Sequence, residues 1–409
     1  MAFAPSIPVI VLILVFLGIA IRKVGRFSLR IWQIMLIGAV AVLVTGQISP
    51  LSAARAVNPD VMIFLFGMFV VGVALRESGY LLHLSNRICR RAENRNQLLL
   101  LLVFSFGILS AILMNDTLAI IGTPLVLSFA RSSRISPKLL LLTLAFSITT
   151  GSVLSPIGNP QNLLIAINGP SGNPFITFAL YLAIPTVVGL GLVYLFLRVA
   201  FRGEPWKEPL SLPPGYVKDE RLAFITRVSL VVLITFIAVK VASFFVGLDF
   251  QVPLPAIALL SALPILAFSE RRVEIARKVD WETLVFFAAM FVLMESVWES
   301  GFIQSLVPIF GAGIPVILGL SIAASQFVSN VPWVALYLPA LPSTSPAALM
   351  ALAAGSTIAG NLSILGAASN VIIIQNAEKE GETLTFPEFV KIGLPLTLVQ
   401  TLVYLLFLG

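Results

Sequence analysis

The chain has few residues suited to metal binding or cross-linking. Among its 409 residues there is one cysteine, Cys89, and one histidine, His83. A lone cysteine excludes an internal disulfide, and one Cys with one His excludes a Cys/His metal cluster. Charge is also scarce. Asp, Glu, Lys and Arg make up 11% of the chain, against roughly a quarter in a soluble domain. That shortage excludes a water-soluble globule and a charged disordered segment. Neither H-E-x-x-H nor G-x-x-x-x-G-K-[ST] occurs, so neither a zinc peptidase nor nucleotide hydrolysis by the chain itself is expected. No nucleophile–base pair is legible, and the expectation is a protein that is not an enzyme.

What the chain does have is apolar sequence. Hydrophobic residues make up 58% and the mean hydropathy is +1.02. Apolar runs fall near 6–21, 31–48, 60–75, 97–130, 139–168, 176–197, 223–247, 252–269, 282–298, 303–341, 348–376 and 385–408. They are continuous rather than alternating over ~10 residues, which excludes a β-barrel. The fold class expected is an all-α polytopic membrane protein. The first run is followed by Arg22, Lys23 and Arg26, the wrong flank for a cleaved signal, so it reads as a retained span.

Four runs are too long for one straight crossing. At ~1.5 Å per residue, a 34-residue helix would be about 51 Å long against a core of ~30 Å. Each long run carries a polar interruption: Asn115-Asp116-Thr117, Ser155 to Asn162, Ser329-Asn330-Val331-Pro332, and Gly366 to Asn370. Charge placement separates hairpins from crossings. The run 97–130 has Arg87, Arg90, Arg91 and Arg95 before it and Arg131, Arg134 and Lys138 after it. Both ends then lie in the cytoplasm, and the run is a re-entrant hairpin. The run 303–341 has no Lys or Arg near either end and reads as a hairpin from outside. The broken stretches 139–168 and 348–376 each cross once. The count is about ten crossings and two hairpins.

With the N-terminus outside, all of the 26 Lys and Arg except Arg55 and Lys240 fall on the cytoplasmic side. This bias fixes the expected orientation: both termini outside, the linker 201–221 cytoplasmic, in a cell membrane. The net charge of +7 is read as this topology signal, and no nucleic-acid partner is expected.

The chain also repeats itself. VNPDVMIFLFGMFVVGVALRESGY (57–80) aligns with VDWETLVFFAAMFVLMESVWESGF (279–302). Asn115 with Pro124 parallels Asn330 with Pro339, and Gly158 with Asn162 parallels Gly366 with Asn370. The halves are about 1–200 and 222–409. Each has five crossings, an odd number, so the second is inverted. Inverted repeats with broken helices in matching places are the pattern of a secondary transporter with a midplane site. A broken helix in a membrane exposes backbone groups that only protein or a watery cavity satisfies. Exposed helix N-termini favour anions, and freed carbonyls suit Na⁺.

At these residues the chain resembles a known group. MNDTLAIIGTPLVL (114–127), SPIGNPQNLLI (155–165) and SNVPWVALYLP (329–339) are similar to the ion transporter superfamily. The similarity is greatest to its arsenical-pump permease and NhaD-type branch, with a citrate-transporter-like domain. The resemblance implies a scaffold domain, a mobile transport domain holding both hairpins, a homodimer, and for arsenical-pump relatives an ATPase partner in trans. Related sodium-coupled carriers have Ser-Asn-Thr at both tips. Here the tips are Met114-Asn115-Asp116-Thr117 and Ser329-Asn330-Val331-Pro332, and the added Asp116 points to a proton or cation role.

The candidate site is therefore Asn115, Asp116 and Thr117 at one tip and Ser329 and Asn330 at the other. It also takes in Gly158, Asn159, Pro160, Gln161 and Asn162 at one break and Gly366, Ser369 and Asn370 at the other. Na⁺ near Asn115, Asp116, Asn159, Asn330 and Asn370, or H⁺, is the expected coupling ion; no other cofactor is expected. The leading functional expectation is coupled transport of a small anion, an oxyanion such as arsenite or a di- or tricarboxylate, by an elevator-like alternation. Na⁺/H⁺ exchange is the alternative and a channel is third. Membrane lipid is the remaining partner, through basic clusters such as Arg87–Arg95.

Overall fold

The computed structural model describes residues 6–169, 172–210, 217–248, 252–305, 313–341 and 343–409, less residues 22, 25 and 26. Parts of the linker 201–221 and of the run 303–341 thus lie outside the described residues. The described chain is helical apart from a two-residue antiparallel ladder, Lys23–Val24 with Phe27–Ser28. Among the described residues six helices are long and apolar enough to cross a membrane: Pro59–Ser78, Arg95–Ile112, Pro174–Ala200, Glu220–Phe245, Trp281–Glu299 and Phe386–Leu408. Shorter apolar helices include Ile31–Val44, Leu254–Phe268, Ile314–Val328 and Pro346–Leu362.

Local chemistry sets many boundaries. Asn58 accepts hydrogen bonds from the Asp60 and Val61 amides, Pro59 occupies the first turn, and Gly79 closes the helix with φ 72°. These are ordinary start and stop signals. The run 31–48 is shorter than expected. Its helix stops at Val44, and a separate turn of helix, Pro50–Ala56, follows under the cap of Ser49.

The four long runs are all broken. The first comprises Arg95–Ile112 and Asn115–Ser133, joined through Leu113 and Met114. The second comprises Pro137–Ser152 and Pro160–Asn168. The third has Ile314–Val328 and Asn330–Tyr337, separated by Ser329 alone at φ 67°. The fourth has Pro346–Leu362 and Ala368–Lys379. The polar clusters sit slightly off the breaks themselves. Asn115-Asp116-Thr117, Asn330 and Ser369-Asn370 form the first turns of the returning helices, whose unpaired amides suit polar side chains.

The helices pack in two groups. In one, Pro59–Ser78 packs on Leu254–Phe268 and Glu220–Phe245, and Trp281–Glu299 packs on Ile31–Val44. In the other, Pro137–Ser152 packs on both arms of the first hairpin, and Pro346–Leu362 packs on Ile314–Val328 and Phe386–Leu408. Both groups take helices from both halves of the chain. The two repeated segments, Pro59–Ser78 and Trp281–Glu299, share the first group and touch each other. The hairpin tips and the helix after the first break belong to the second group and border the first.

An ionic cluster ties the first group together at one end. Glu77 meets Arg271 at 3.2 Å and Lys278 at 2.7 Å, and Arg271 also reaches Asp219 at 3.4 Å. Hydrogen bonds from Arg271, then from Lys278, hold the Glu274 carboxyl down to about 2.

In the second group, contact at the crossing of Arg95–Ile112 and Pro137–Ser152 needs glycine. A Cβ on Gly151 would lie 2.2 Å from the Gly107 carbonyl oxygen and 2.4 Å from its Cα. Backbone cannot rotate away, so the helices must separate. Gly151→Ala should therefore destabilise the fold by about 1–3 kcal/mol or more. Thermal unfolding of the detergent-purified protein measures this. An unchanged melting temperature would show that the crossing is looser than described.

Candidate functional site

The two breaks are stitched in the same way. Asn162 donates through Nδ2 to the carbonyls of Ser152 and Ser155, each at 3.0 Å. Asn370 donates through Nδ2 to those of Gly360 (2.6 Å) and Ser363 (3.3 Å). Each asparagine thus satisfies carbonyls that its own broken helix has released. Gly158 and Gly366 let the loops fold back tightly. A Cβ on Gly158 would lie 2.6 Å from the Ser152 oxygen, and one on Gly366 would lie 2.3 Å from the Ala359 oxygen.

Each hairpin is tied to its neighbouring break. The Asn115 amide donates to the Gly158 carbonyl at 3.0 Å. Gln326, on the second hairpin, donates to the Ala359 carbonyl at 3.0 Å and accepts from the Ser363 hydroxyl at 2.7 Å. At the second tip, the Asn330 side-chain oxygen accepts from the Val331 amide and the Ser329 hydroxyl.

Thr357, on Pro346–Leu362, joins the halves. Its hydroxyl accepts from Asn159 Nδ2 and Gln161 Nε2 and donates to Asn162 Oδ1, all at 3.3 Å. A second buried junction lies behind it. Asn361 donates to Thr150 Oγ1 at 2.9 Å and to Gln400 Oε1 at 2.8 Å, and Gln400 donates to Thr150 Oγ1 at 3.1 Å. Thr357, Gln326, Asn361 and Gln400 were not among the residues singled out from sequence. Thr149 and Thr357 do share the 208-residue offset of Gly158/Gly366 and Asn162/Asn370, a signal that could have found Thr357.

These elements enclose a cavity of about 830 Å³ between the two helix groups. Asn115, Asp116, Pro160, Gln161, Ser329 and Asn330 all line it. Both tips and the first break therefore meet in one space. The remaining sequence candidates stand behind this wall. Asn159, Asn162, Ser369 and Asn370 are fully buried. Gly158 and Gly366 form the loops, and Thr117 faces a separate cavity beside Gly72 and Val73. Asn115 Oδ1 and Gln161 Oε1 are buried with no hydrogen-bond partner among the described residues.

The rim adds charge that sequence reading passed over. Arg30, Asp280, Glu282, Glu378 and Lys379 line the same cavity. Arg30 pairs with Glu282. Asp280 caps its helix, accepting from the Thr283 amide at 3.0 Å and hydroxyl at 2.7 Å. Lys379 donates to Asn376 at 3.1 Å. With Asp116, the lining has four acids and two bases. Among the described residues no group of three or more His, Cys, Asp or Glu is arranged to hold a metal ion. A bound cation would have to use neutral oxygens with Asp116.

The sequence model of a family described as citrate transporter matches residues 9–349. The silicon efflux transporter LSI3 of Oryza sativa subsp. japonica is 27% identical, over 91% of each chain. An uncharacterized transporter of Mycobacterium tuberculosis is 26% identical, over 90% of each. The P protein of Mus musculus is 24% identical over 94% of this chain and 59% of its own length. Among solved structures, the YdaH transporter of Alcanivorax borkumensis superimposes with a TM-score of 0.59 at 16% identity, covering 88% of this chain and 86% of that one. This last likeness is one of fold.

The shared hydroxyl of Thr357 allows a direct test. Thr357→Val keeps the shape but strands Gln161 Nε2 and Asn162 Oδ1, while Asn159 Nδ2 keeps its bond to Ser152 Oγ, at a cost of about 1–3 kcal/mol. Thr149 Oγ1 has no partner among the described residues, so Thr149→Val should be close to neutral. Comparing the two melting temperatures checks the arrangement. Equal losses would contradict it.

Proposed function

The chain belongs to the citrate transporter family, and from that membership we propose that this membrane transporter moves a small oxyacid or oxyanion, coupled to H⁺ or Na⁺, by alternating access. One observation carries the proposal: amides from both hairpin tips and the first break converge with Asp116 on one cavity between two helix groups.

The lining supports the substrate class. Amides and hydroxyls donate and accept equally and suit a compact polyhydroxylated solute. Of the two basic groups, Arg30 is already paired with Glu282. A tricarboxylate would meet a surplus of acids and would need accompanying cations. Arsenous and silicic acids are mostly uncharged near neutral pH and meet no such repulsion. The silicon efflux transporter among the relatives supports the same choice.

Asp116 is the coupling residue in this reading. It opens a helix inside the apolar body and faces the cavity. Intramembrane carboxylates are costly and are retained for function. Protonated or cation-bound, Asp116 is neutral, and the helix group carrying it can move past the other without dragging a bare charge through lipid. That group, with both tips and both breaks, would travel in an elevator-like step against the group containing Pro59–Ser78 and Trp281–Glu299. Na⁺, where it is the coupling ion, would be held near Asp116 by the side-chain oxygens of Asn115 and Asn330, which line the same cavity; Asn159 and Asn370, expected beside it from the sequence, stand behind the wall. The surplus of acids also supports a second reading, cation–proton exchange with no other cargo.

Proteoliposome flux separates these readings. Arsenite or silicic acid uptake should respond to an imposed H⁺ or Na⁺ gradient, and citrate without divalent cations should not compete. Gradient-driven cation flux with no solute present would favour exchange instead. Asp116→Asn should abolish the gradient dependence while Asn115→Ala and Asn330→Ala each remove uptake itself. Gradient dependence surviving in a folded Asp116→Asn protein would take Asp116 out of the mechanism.

Orientation has its own test. Arg30, Asp280, Glu282, Glu378 and Lys379 lie in segments that the Lys/Arg bias places in the cytoplasm, so the cavity opens inward. Gln375 also lines it. In a Cys89→Ser background, a cysteine replacing Gln375 should react with an impermeant maleimide from the cytoplasmic side alone. Reaction only from outside would invert the topology.

A further inference from the structure

We infer that the groove where Pro137–Ser152, Pro174–Ala200 and Phe386–Leu408 meet is a binding site for an anionic glycerophospholipid. The inference does not depend on the transport reading. The groove has a volume of about 480 Å³ and lies away from the central cavity, with no lining residue in common. Its walls are apolar, built from Leu142, Leu195, Phe196, Val199, Ile392 and Pro395. Its polar residues are Lys138, Lys391 and Glu388.

The charges at this end do not cancel. Lys138 pairs with Glu388, which is also fixed by the Thr385 cap. Lys391 is exposed and makes no ion pair among the described residues. One positive charge is left over at the mouth of an apolar groove. Pro395 lines the same groove and has no N–H for the Lys391 carbonyl four residues back. That carbonyl remains an acceptor for a headgroup hydroxyl.

Beyond the groove, an apolar face continues along Phe386–Leu408. Lys391, Pro395, Leu398 and Leu402 follow a spacing of four, three and four and share one helix face. Leu398 and Leu402 are 58% and 65% exposed, and Val199 across the groove is 62% exposed. An apolar face of this kind on a membrane-spanning helix meets hydrocarbon. The cation sits at its end, where the bilayer surface falls. A phosphate at Lys391 with an acyl chain laid over Pro395 and Leu398 satisfies both features. A soluble anion would leave the aliphatic wall uncovered, and a zwitterionic lipid, which brings its own cation with its phosphate, would leave the net positive charge of the groove uncompensated. Basic pockets between helices at the cytoplasmic surface are known to take anionic headgroups.

The probes are phosphatidylglycerol and phosphatidylcholine of identical acyl chains, added to the detergent-purified full-length protein. Native mass spectrometry and the thermal shift read binding. Phosphatidylglycerol should be retained in preference and should raise the melting temperature. Lys391→Glu should weaken its retention by roughly tenfold, since it removes one attraction and adds a repulsion. Val199→Trp fills the groove from its exposed side and should lower retention with the charge intact. Lys391→Gln replaces the reversal if that variant does not fold, with a smaller loss in the same direction. Equal retention of the two lipids by the unmodified protein would overturn the assignment. So would unchanged phosphatidylglycerol binding in these variants.

Discussion

A backbone carbonyl released inside an apolar body must find a donor, and the rest of this structure depends on how that demand is met. Breaking two helices makes the site possible, because only there do polar atoms gather amid hydrocarbon. Breaking them also costs several kcal/mol for each group left unpaired. Asn162 and Asn370 answer that cost from within, each donating to carbonyls seven and ten residues back. Gln326 and the Asn115 amide answer it from the hairpins. Hairpin and break are therefore one hydrogen-bonded unit, and the tips are held where the cavity needs them.

That coupling governs what the cavity can recognise. Its inner wall is made of groups already partly committed to the backbone, with Asn115 Oδ1 and Gln161 Oε1 left over. Such a wall is neutral and can both donate and accept. Charge enters only through Asp116 from within and through the rim. The rim pairs Arg30 with Glu282 across two helices of the group that carries neither tip. Charge is thus shared between the two bodies, with Arg30, Asp280 and Glu282 on one and Asp116, Glu378 and Lys379 on the other, whereas the tip and break amides lie on one alone.

The breaks in the four long runs were legible in sequence because their cause is local. Seventeen to twenty-five apolar residues span a bilayer, and 34 with Asn-Asp-Thr inside do not. The exact break points were displaced by a few residues, since the first turn of a returning helix welcomes the same Asn, Asp and Ser that a loop does. What stayed illegible is non-local. Nothing near Thr357 announces that Asn159, Gln161 and Asn162, almost two hundred residues earlier, converge on its hydroxyl. Arg30 and Glu282 are 252 residues apart. Neither was singled out from the sequence.

The internal repeat clarifies the difference between equivalent positions. At the 208-residue offset Asn162 matches Asn370, but Asn159 and Gln161 match Ala367 and Ser369. The first break therefore has two extra amides, and they fill the hydroxyl of Thr357. The second has a methyl group and a short hydroxyl, and Thr149 Oγ1, Ser369 Oγ and Asn370 Oδ1 all lack partners among the described residues. The repeated pattern thus closes a network on the hydroxyl of Thr357 and leaves that of Thr149 open. The closed network locks the first break to the opposite half of the same helix group. The open one leaves the second break held by Asn370, by Gln326 and by the Asn361 junction with Thr150 and Gln400, so the two breaks are anchored through different partners. Both sides keep spare acceptors, Gln161 Oε1 on one and Asn370 Oδ1 on the other, so the asymmetry lies in what each break is tied to and not in where unpaired groups remain.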